Sequence, residues 1–361
     1  MKIKILLIGP LPPPITGQSI AFSYLENLEY KNIKFIIYNT NKYKLNLFNY
    51  LDSIVILPII ILFEKFQKIY FIGSRSNLGF LRQLPFLTIS INKKINIINH
   101  LHGADFKSFY NNSGILKGLI FWVYSKIDTS ILLLEEMEDQ FIDFPNMNLK
   151  IIPNAMGKDF ENLKIKKPVK NRILYLSNIL ASKGILEFMN AVAKILSDNK
   201  EVEVNIAGGF LKDHIMSKNE IKKRFFLIYN SLKLKYNHRV SYLGVVSGKK
   251  KVDVLKSSSI FVLPSYYPTE AFPISIIEAM AASNAIVTTN HNYLKFIISE
   301  ENGIIVNKKN SNEIYLALRR LLNDDKKLKQ IQKLNYLKSN SEYKLESHIN
   351  KIISSFNEEV S

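Results

Sequence analysis

Glu270 and Glu278 stand eight positions apart in PTEAFPISIIEAM, residues 268–280, a stretch that is otherwise largely apolar. Pro273 between them suits the first position of a helix, where its missing N–H removes nothing. Ile274–Ala282 then reads as helix, with Glu278 in its second turn. A helix N-terminus presents unpaired N–H groups and a partial positive charge, which together favour a phosphate. Eight residues of helix rise about 12 Å, of the order of the separation between the ribose and the sugar hydroxyls of an extended nucleotide sugar. The spacing therefore suits Glu278 accepting from ribose hydroxyls, Glu270 accepting from sugar hydroxyls and a diphosphate lying between them. A capping acid followed by a solvated helix glutamate would give the same letters.

Three further groups invite chemistry. Lys183 follows a strand in LSNILASKG and precedes a helix, where its ammonium can meet a diphosphate as a compact charge. His102 in HLHGADF follows another strand, and the adjacent glycine lets a backbone N–H approach a ligand beside the imidazole; His100 reads as structural. Gly17 closes the turn GPLPPPITG at the start of a helix and allows close approach of a phosphate or sugar, although the segment lacks the G-x-G-x-x-G dinucleotide pattern. Each also has a plain reading, as a surface lysine, a satisfied loop histidine and a tight turn. Asp105 near two histidines is too thin a set for a metal site.

The composition narrows the setting. The chain of 361 residues favours two domains, and 47% hydrophobic residues suffice for sizeable cores. With no cysteine there are neither disulfides nor thiolate metal sites, in keeping with a reducing compartment. The net charge of +18, most of it in residues 166–361, fits an anionic partner, but Lys, Asn and Ile are all abundant, as A/T-rich coding would also produce. Neither stacking aromatics in a basic stripe nor a helix-turn-helix pattern supports nucleic acid. Ile3–Ile8 reads as a buried strand and not as a signal peptide. The longest apolar stretch, Ile54–Phe63, contains Pro58 and falls short of the roughly 20 residues that span a bilayer.

Strand, turn and helix alternate along the whole chain. Lys2–Ile8, Ile33–Tyr38, Ile69–Ile72, Ile95–Asn99, Ser130–Leu134 and Lys150–Ile152 read as strands of a first half, with a helix over Gln18–Leu28. The charged ENLKIKKPVKN, residues 161–171, reads as a linker. A second series follows at Arg172–Leu176, Glu203–Ala207, Val240–Leu243, Ile260–Leu263 and Ala285–Thr288, and the chain closes with helices over 312–322, 325–337 and 341–357. Continuous rather than alternating Ile/Leu/Val runs indicate parallel sheets covered on both faces. The expected domains are 1–163, 164–340 and a terminal helix 341–361 packing back toward the first domain, with ligands at the carboxyl ends of the strands.

PSYYPTEAFPISIIEAMAAS resembles the E-x7-E region of the retaining glycosyltransferases of family 4, and GPLPPPITGQS, IYFIGSRSNLGFLRQLPF, HLHGADF, IIPNA, LSNILASKG and ENGIIV are similar, in order, to segments of its bacterial members that build surface polysaccharides. The resemblance implies an α/β chain of GT-B architecture, two Rossmann-like doubly wound domains facing an interdomain cleft. It implies His102, Lys183 and Glu270 as catalytic, and Gly17, Asn178, Lys183, Glu270, Ala271, Phe272, Pro273, Ile274 and Glu278 as donor-binding. It further implies a cytoplasmic, metal-independent hexosyl transfer without cofactor, from a nucleotide sugar, most commonly UDP-linked, to a glycan acceptor carried on a polyprenyl lipid. Asn178 stands where the family usually has an arginine, Ala271 replaces a glycine, Pro273 removes a backbone donor, and Asn292–Tyr293 replace a glycine pair. A nucleotide-sugar epimerase of the same architecture and a non-catalytic nucleotide-sugar-binding subunit remain alternatives. For peripheral contact with an anionic membrane at the inner face, Tyr110–Tyr124 supplies Trp122 and Tyr124 as anchors, unless it is a core helix of the first domain.

Overall fold

A computed structural model of the chain describes residues 3–26, 28–164 and 171–357. Lys2 of the first expected strand, Asn27 of the first expected helix, 165–170 of the expected linker and 358–361 of the expected terminal helix lie outside these. The chain divides into two compact units, Met1–Asn154 with Glu346–Ser361, and Ala155–Leu345.

The first unit holds six strands: β1 (Ile3–Gly9), β2 (Ile33–Asn39), β3 (Lys68–Ile72), β4 (Asn96–His100), β5 (Thr129–Leu132) and β6 (Asn148–Ile151). They form one parallel sheet in the order β2-β1-β3-β4-β5-β6. Its helices are α1 (Gly17–Ser23), α2 (Asn46–Leu51), α3 (Leu57–Phe63), α4 (Asn77–Asn92), α5 (Phe106–Asn111) and α6 (Lys117–Tyr124). Ile5, Leu7, Tyr70, Ile98 and Ile131 of the sheet share a core with Phe22 of α1 and with Ile352 and Phe356 of the C-terminal helix Leu345–Asn357. On the other side α3 and α6 both pack on α4.

The second unit repeats the plan with β7 (Arg172–Leu176), β8 (Glu203–Ala207), β9 (Val240–Tyr242), β10 (Ile260–Leu263), β11 (Ala285–Thr289) and β12 (Gly303–Val306). All pairs are again parallel, in the order β12-β11-β10-β7-β8-β9. Helices α7 (Ile185–Asp198), α8 (Lys218–Tyr236), α9 (Gly248–Lys256), α10 (Ile274–Ala281), α11 (Leu294–Ile297), α12 (Ser311–Asn323) and α13 (Asp325–Glu342) complete it. Every residue of β10 and β11 is buried, which accounts for their unbroken apolar runs. Two parallel six-stranded sheets interleaved with helices make the Rossmann-like, doubly wound GT-B fold that the alternation and the resemblance implied.

The details differ in four places. The change of unit falls at Asn154–Ala155 and not at 163–164, because residues after it are tied into the second unit: Met156 N–H donates to Tyr343 O at 3.0 Å, and Leu345 N–H donates to the Glu161 carboxylate at 2.7 Å. Helix α1 ends at Ser23, and α13 continues to Glu342 before a break at Tyr343. Tyr124 is fully buried and Trp122 is 41% exposed, so of the two expected interface anchors only Trp122 reaches the surface. Pro58 does not interrupt the apolar stretch: α2, a π-helical turn over Asp52–Ile56 and α3 run on as one helical segment of 18 residues, Asn46–Phe63. Proline at i deprives the carbonyl at i−4 of its donor and crowds it, and the wider π turn immediately upstream gives that carbonyl room. By length and composition this helix is apolar enough to cross a membrane.

Asn335 on α13 is fully buried and donates to the carbonyls of Asn284 and Asn302, each at 2.8 Å, thereby fixing the starts of β11 and β12. Asn335→Ala strands both carbonyls, and we expect a loss of about 3 kcal/mol, read as a lowered urea midpoint at unchanged m-value.

Candidate functional site

Lys183 and Glu270 meet at the carboxyl ends of β7 and β10. The exit of β7 turns through a 3₁₀ segment, Ala181–Lys183, into Gly184 at φ +73°, which caps α7. A Cβ on Gly184 would lie 2.1 Å from Pro264 O, so only glycine lets this turn sit against the exit of β10. Tyr266 N–H donates to Ser182 O at 2.7 Å, and Asp213 accepts from both N–H and Oγ of Ser182, also at 2.7 Å. The Lys183 side chain leaves this rigid corner over the ring of Tyr267, 5.0 Å from its centroid, and its Nζ forms an ion pair with Glu270 Oε2. Ser265 Oγ donates to the same oxygen at 2.7 Å.

Glu270 is only 8% exposed, and its backbone is held as firmly as its carboxylate. Asn292 Nδ2 donates to Pro268 O at 2.8 Å and to Glu270 O at 3.0 Å. Asn292 itself adopts φ +46°, so the position keeps the left-handed backbone that a glycine would give while adding two hydrogen bonds. His291 Nε2 lies 3.0 Å from Tyr267 O. Pro273 is the N-cap of α10, at φ −66° and ψ 119°, one position earlier than expected, and the helix begins at Ile274. No side chain caps it, and Ile276 N–H donates to Pro273 O at 3.0 Å, so the N–H groups without an intrahelical acceptor are those of Ile274 and Ser275. Ala271, Phe272, Pro273 and Ile274 are all buried, with the Phe272 ring edge-on to Tyr343. What this loop can offer a ligand is therefore backbone rather than side chain. Asn178 is half-buried at the exit of β7, its side chain without a hydrogen-bond partner among the described residues.

Glu278, 3% exposed, has a partner that the sequence did not disclose. Lys251 of α9 forms an ion pair with Glu278 Oε2, and its ammonium lies 5.7 Å from the Phe160 centroid. Burial raises the Glu278 carboxyl above its usual range, while the charge and hydrogen bond of Lys251 pull it back. Lys251 stands in the run GKKKVDVLK, where nothing distinguishes it from its neighbours; only the placement of α9 does.

His102 and Gly17 belong to the first unit. His102 follows β4, its ring 4.0 Å from that of His100, whose Nδ1 meets Tyr70 Oη at 2.5 Å. Burial, with Arg75 and His348 adding positive charge nearby, pushes His102 down to about 3, so it is neutral at physiological pH. Arg75 was not foreseen: its Nε pairs with Asp105 Oδ1 at 2.6 Å, and a Cβ on Gly103 would fall 2.2 Å from Arg75 Nη1, so that glycine makes room for the guanidinium. Gly17 opens α1 after the N-cap Thr16, and a Cβ there would meet nothing within 4 Å. Among the described residues no group of three or more His, Cys, Asp or Glu is placed to hold a metal ion.

The site of the second unit lies within the span matched by a family model. The model for glycosyl transferases group 1 matches residues 158–338, which includes Asn178, Lys183, Lys251, Glu270 and Glu278. The chain belongs to the group 1 glycosyl transferases. It is similar to the N,N'-diacetylbacillosaminyl-diphospho-undecaprenol alpha-1,3-N-acetylgalactosaminyltransferase of Campylobacter jejuni, 31% identical over 169 residues, which are 46% of this chain and 39% of that protein. The match thus spans well under half the length of that relative. Among solved structures it is similar to Anabaena HepE in complex with UDP (TM-score 0.73, 14% identity, 98% of this chain and 100% of the other). An E. coli trehalose-6-phosphate protein bound with UDP-2-fluoro glucose is also similar (TM-score 0.71, 12% identity, 98% of each chain). A glycosyltransferase of Rickettsia africae is a third (TM-score 0.65, 17% identity, 98% of each chain). At these identities the structures speak to the fold.

The Lys251–Glu278 pair gives a pH signature. The folded state holds the raised Glu278 proton more tightly than the unfolded chain does. Its stabilising contribution is therefore present below the unfolded carboxyl value and lost as pH rises through the folded one. Lys251→Met removes the opposing charge, moves the folded value further up and enlarges that loss. We expect a cost of about 3 kcal/mol at pH 7.5, clearly smaller at pH 5, from urea unfolding at both. An equal cost at the two pH values would mean that Lys251 acts through its packing on Phe160.

Proposed function

We propose that this group 1 chain is a retaining glycosyltransferase that moves a hexosyl unit from a nucleotide sugar, UDP-linked, to a lipid-linked glycan acceptor in the building of a surface polysaccharide. The observation that carries the proposal is the Lys183–Glu270 ion pair beside the uncapped start of α10. An ammonium and a set of open N–H groups make a receptor for a diphosphate. When the donor binds, its phosphates replace Glu270 as the partner of Lys183, and the freed carboxylate accepts from sugar hydroxyls. Glu278, eight residues on, accepts from the ribose. Family membership supports this reading, as do the UDP and UDP-2-fluoro glucose named with two of the similar folds. The lipid-linked acceptor draws support from the printed name of the Campylobacter relative.

In the proposed step the bond between the anomeric carbon and the β-phosphate oxygen breaks, and its electron pair leaves with the diphosphate. The acceptor oxygen bonds to that carbon on the same face, and its proton passes to the departing phosphate oxygen. Lys183 and the α10 N–H groups meet the charge that develops there, work that needs neither a divalent cation nor a further cofactor. His102, held neutral, is suited to exchange one hydrogen bond with a sugar hydroxyl rather than to act as a cation. We further propose that the reaction runs on the cytoplasmic side, with peripheral membrane contact.

Lys183→Ala is expected to lower turnover by about 10²–10³-fold, with a far-UV spectrum like that of the native chain. Acceptor-dependent release of nucleotide separates transfer from epimerisation and from mere binding, and NMR of the product's anomeric configuration tests retention. Unimpaired turnover of the variant would end the assignment of Lys183.

A further inference from the structure

We propose that the exposed face of the helical segment Asn46–Phe63 is a docking surface for an anionic lipid bilayer. The inference deepens the proposed reaction on a lipid-linked acceptor, naming the surface through which the chain meets the membrane. One stripe of the segment (Asn49, Ser53, Leu57 and Ile61, at helical spacing) is buried in the first unit. Pro58 is buried with them and Tyr50, Asp52, Ile54 and Ile60 are half-buried, while the outward side is apolar and exposed: Leu47 at 66%, Phe48, Leu51, Val55, Ile56, Ile59, Leu62, and Phe63 at 81%. A monomeric soluble surface seldom carries so continuous an apolar strip.

The segment lies along the unit and does not stand free of it. Asn49 exchanges hydrogen bonds with the N–H and O of Tyr43 at 2.8 and 2.7 Å, and Ser53 Oγ donates to Asn49 O at 2.7 Å. Such a helix is suited to lie in a bilayer surface with its apolar side down.

Charge complementarity selects lipid as the occupant. The acid within the segment and the one just after it are already engaged: Asp52 accepts from Tyr38, and Glu64 pairs with Lys4 at 2.8 Å. Ammonium groups stand at both ends. Lys42 and Lys44 precede the segment and are exposed, Lys65 follows it, and Lys93 at the end of α4 donates to the carbonyls of Ile61 and Leu62 at 2.8 Å. An apolar strip between two cationic ends matches acyl chains flanked by anionic headgroups. Helix α6, which also packs on α4, adds exposed Ile115 just before it and Phe121 and Trp122 within it, so the apolar surface is not confined to one helix.

The test is flotation of the full chain with phosphatidylglycerol/phosphatidylcholine vesicles and with phosphatidylcholine alone, without donor or acceptor. We expect the chain to float with the anionic vesicles, less so at high salt. Phe48→Ser/Phe63→Ser should lower the partition at least about tenfold, and Lys42→Glu/Lys44→Glu by about fivefold per lysine. Leu227→Ser, at an exposed apolar position of the second unit, should leave it unchanged. All five side chains are exposed, and thermal melts check that the variants fold. No flotation with either vesicle, or flotation of the phenylalanine variant like the native chain, overturns the proposal. So does a dimer, seen by light scattering, that the phenylalanine variant converts to monomer without any vesicle binding, since a second copy would then cover the face. Transfer to a short soluble acceptor is measured separately, so the failure of either reading leaves the other to stand on its own result.

Discussion

The second unit is organised around an ion pair that is nearly dry. Glu270 and the side chain of Lys183 come from loops 87 positions apart in the chain, and both are mostly shielded from water. Desolvating two charges is expensive, and their attraction repays the cost only where geometry and further hydrogen bonds are good. Here the surroundings supply both. Ser265 donates to the carboxylate, Asn292 holds the Glu270 backbone, Gly184 lets the two strand exits touch, and Asp213 anchors the turn that carries Lys183. Apolar residues of similar volume often stabilise such a corner as well as a buried pair does, and in the proposed function the pair has a further use, because a ligand replaces one partner.

The second acid sits in a different environment. Glu278 lies inside a helix whose residues other than Ser275 are all buried, and its ion-pair partner among the described residues, Lys251, comes from a neighbouring helix rather than from a strand exit. Without that ammonium, burial would favour the neutral acid at the expense of the carboxylate. Lys251 thus offsets part of the cost of the charged form, in which both oxygens act as hydrogen-bond acceptors. The two glutamates eight positions apart each have a lysine, one at the strand exits and one on α9.

How much of this was legible in the sequence follows from the range of the forces involved. The strands were, because residues buried on both faces of a parallel sheet must be apolar without interruption, as β10 and β11 are. Lys183, Glu270 and Glu278 were, because glycine, proline and strand ends mark the turns that carry them. Lys251 and Arg75 were not: each earns its place through a contact between elements distant in sequence, and a lysine in a lysine run or an arginine in a serine-rich turn has no local signature. The uninterrupted helix over Asn46–Phe63 was hidden by Pro58, ordinarily a helix breaker, whose crowding the preceding π turn relieves.

Net charge was the least informative of the sequence signals, and the structure gives the reason. Charges in water act over about a Debye length, roughly 8 Å at physiological salt, so a total of +18 says little about where an anion would be met. Lys183, Lys251 and Lys4 are each held by a carboxylate, and Lys93 by backbone carbonyls. Although most of the excess lies in residues 166–361, the exposed lysines that border an apolar strip are in the first unit. A surface charge attracts a bilayer most effectively when apolar side chains beside it can enter once contact is made, since electrostatics then adds to burial instead of acting alone. It is this local pairing of ammonium groups with Phe48, Ile59 and Phe63, and not the sum over the chain, that gives the first unit its distinct surface.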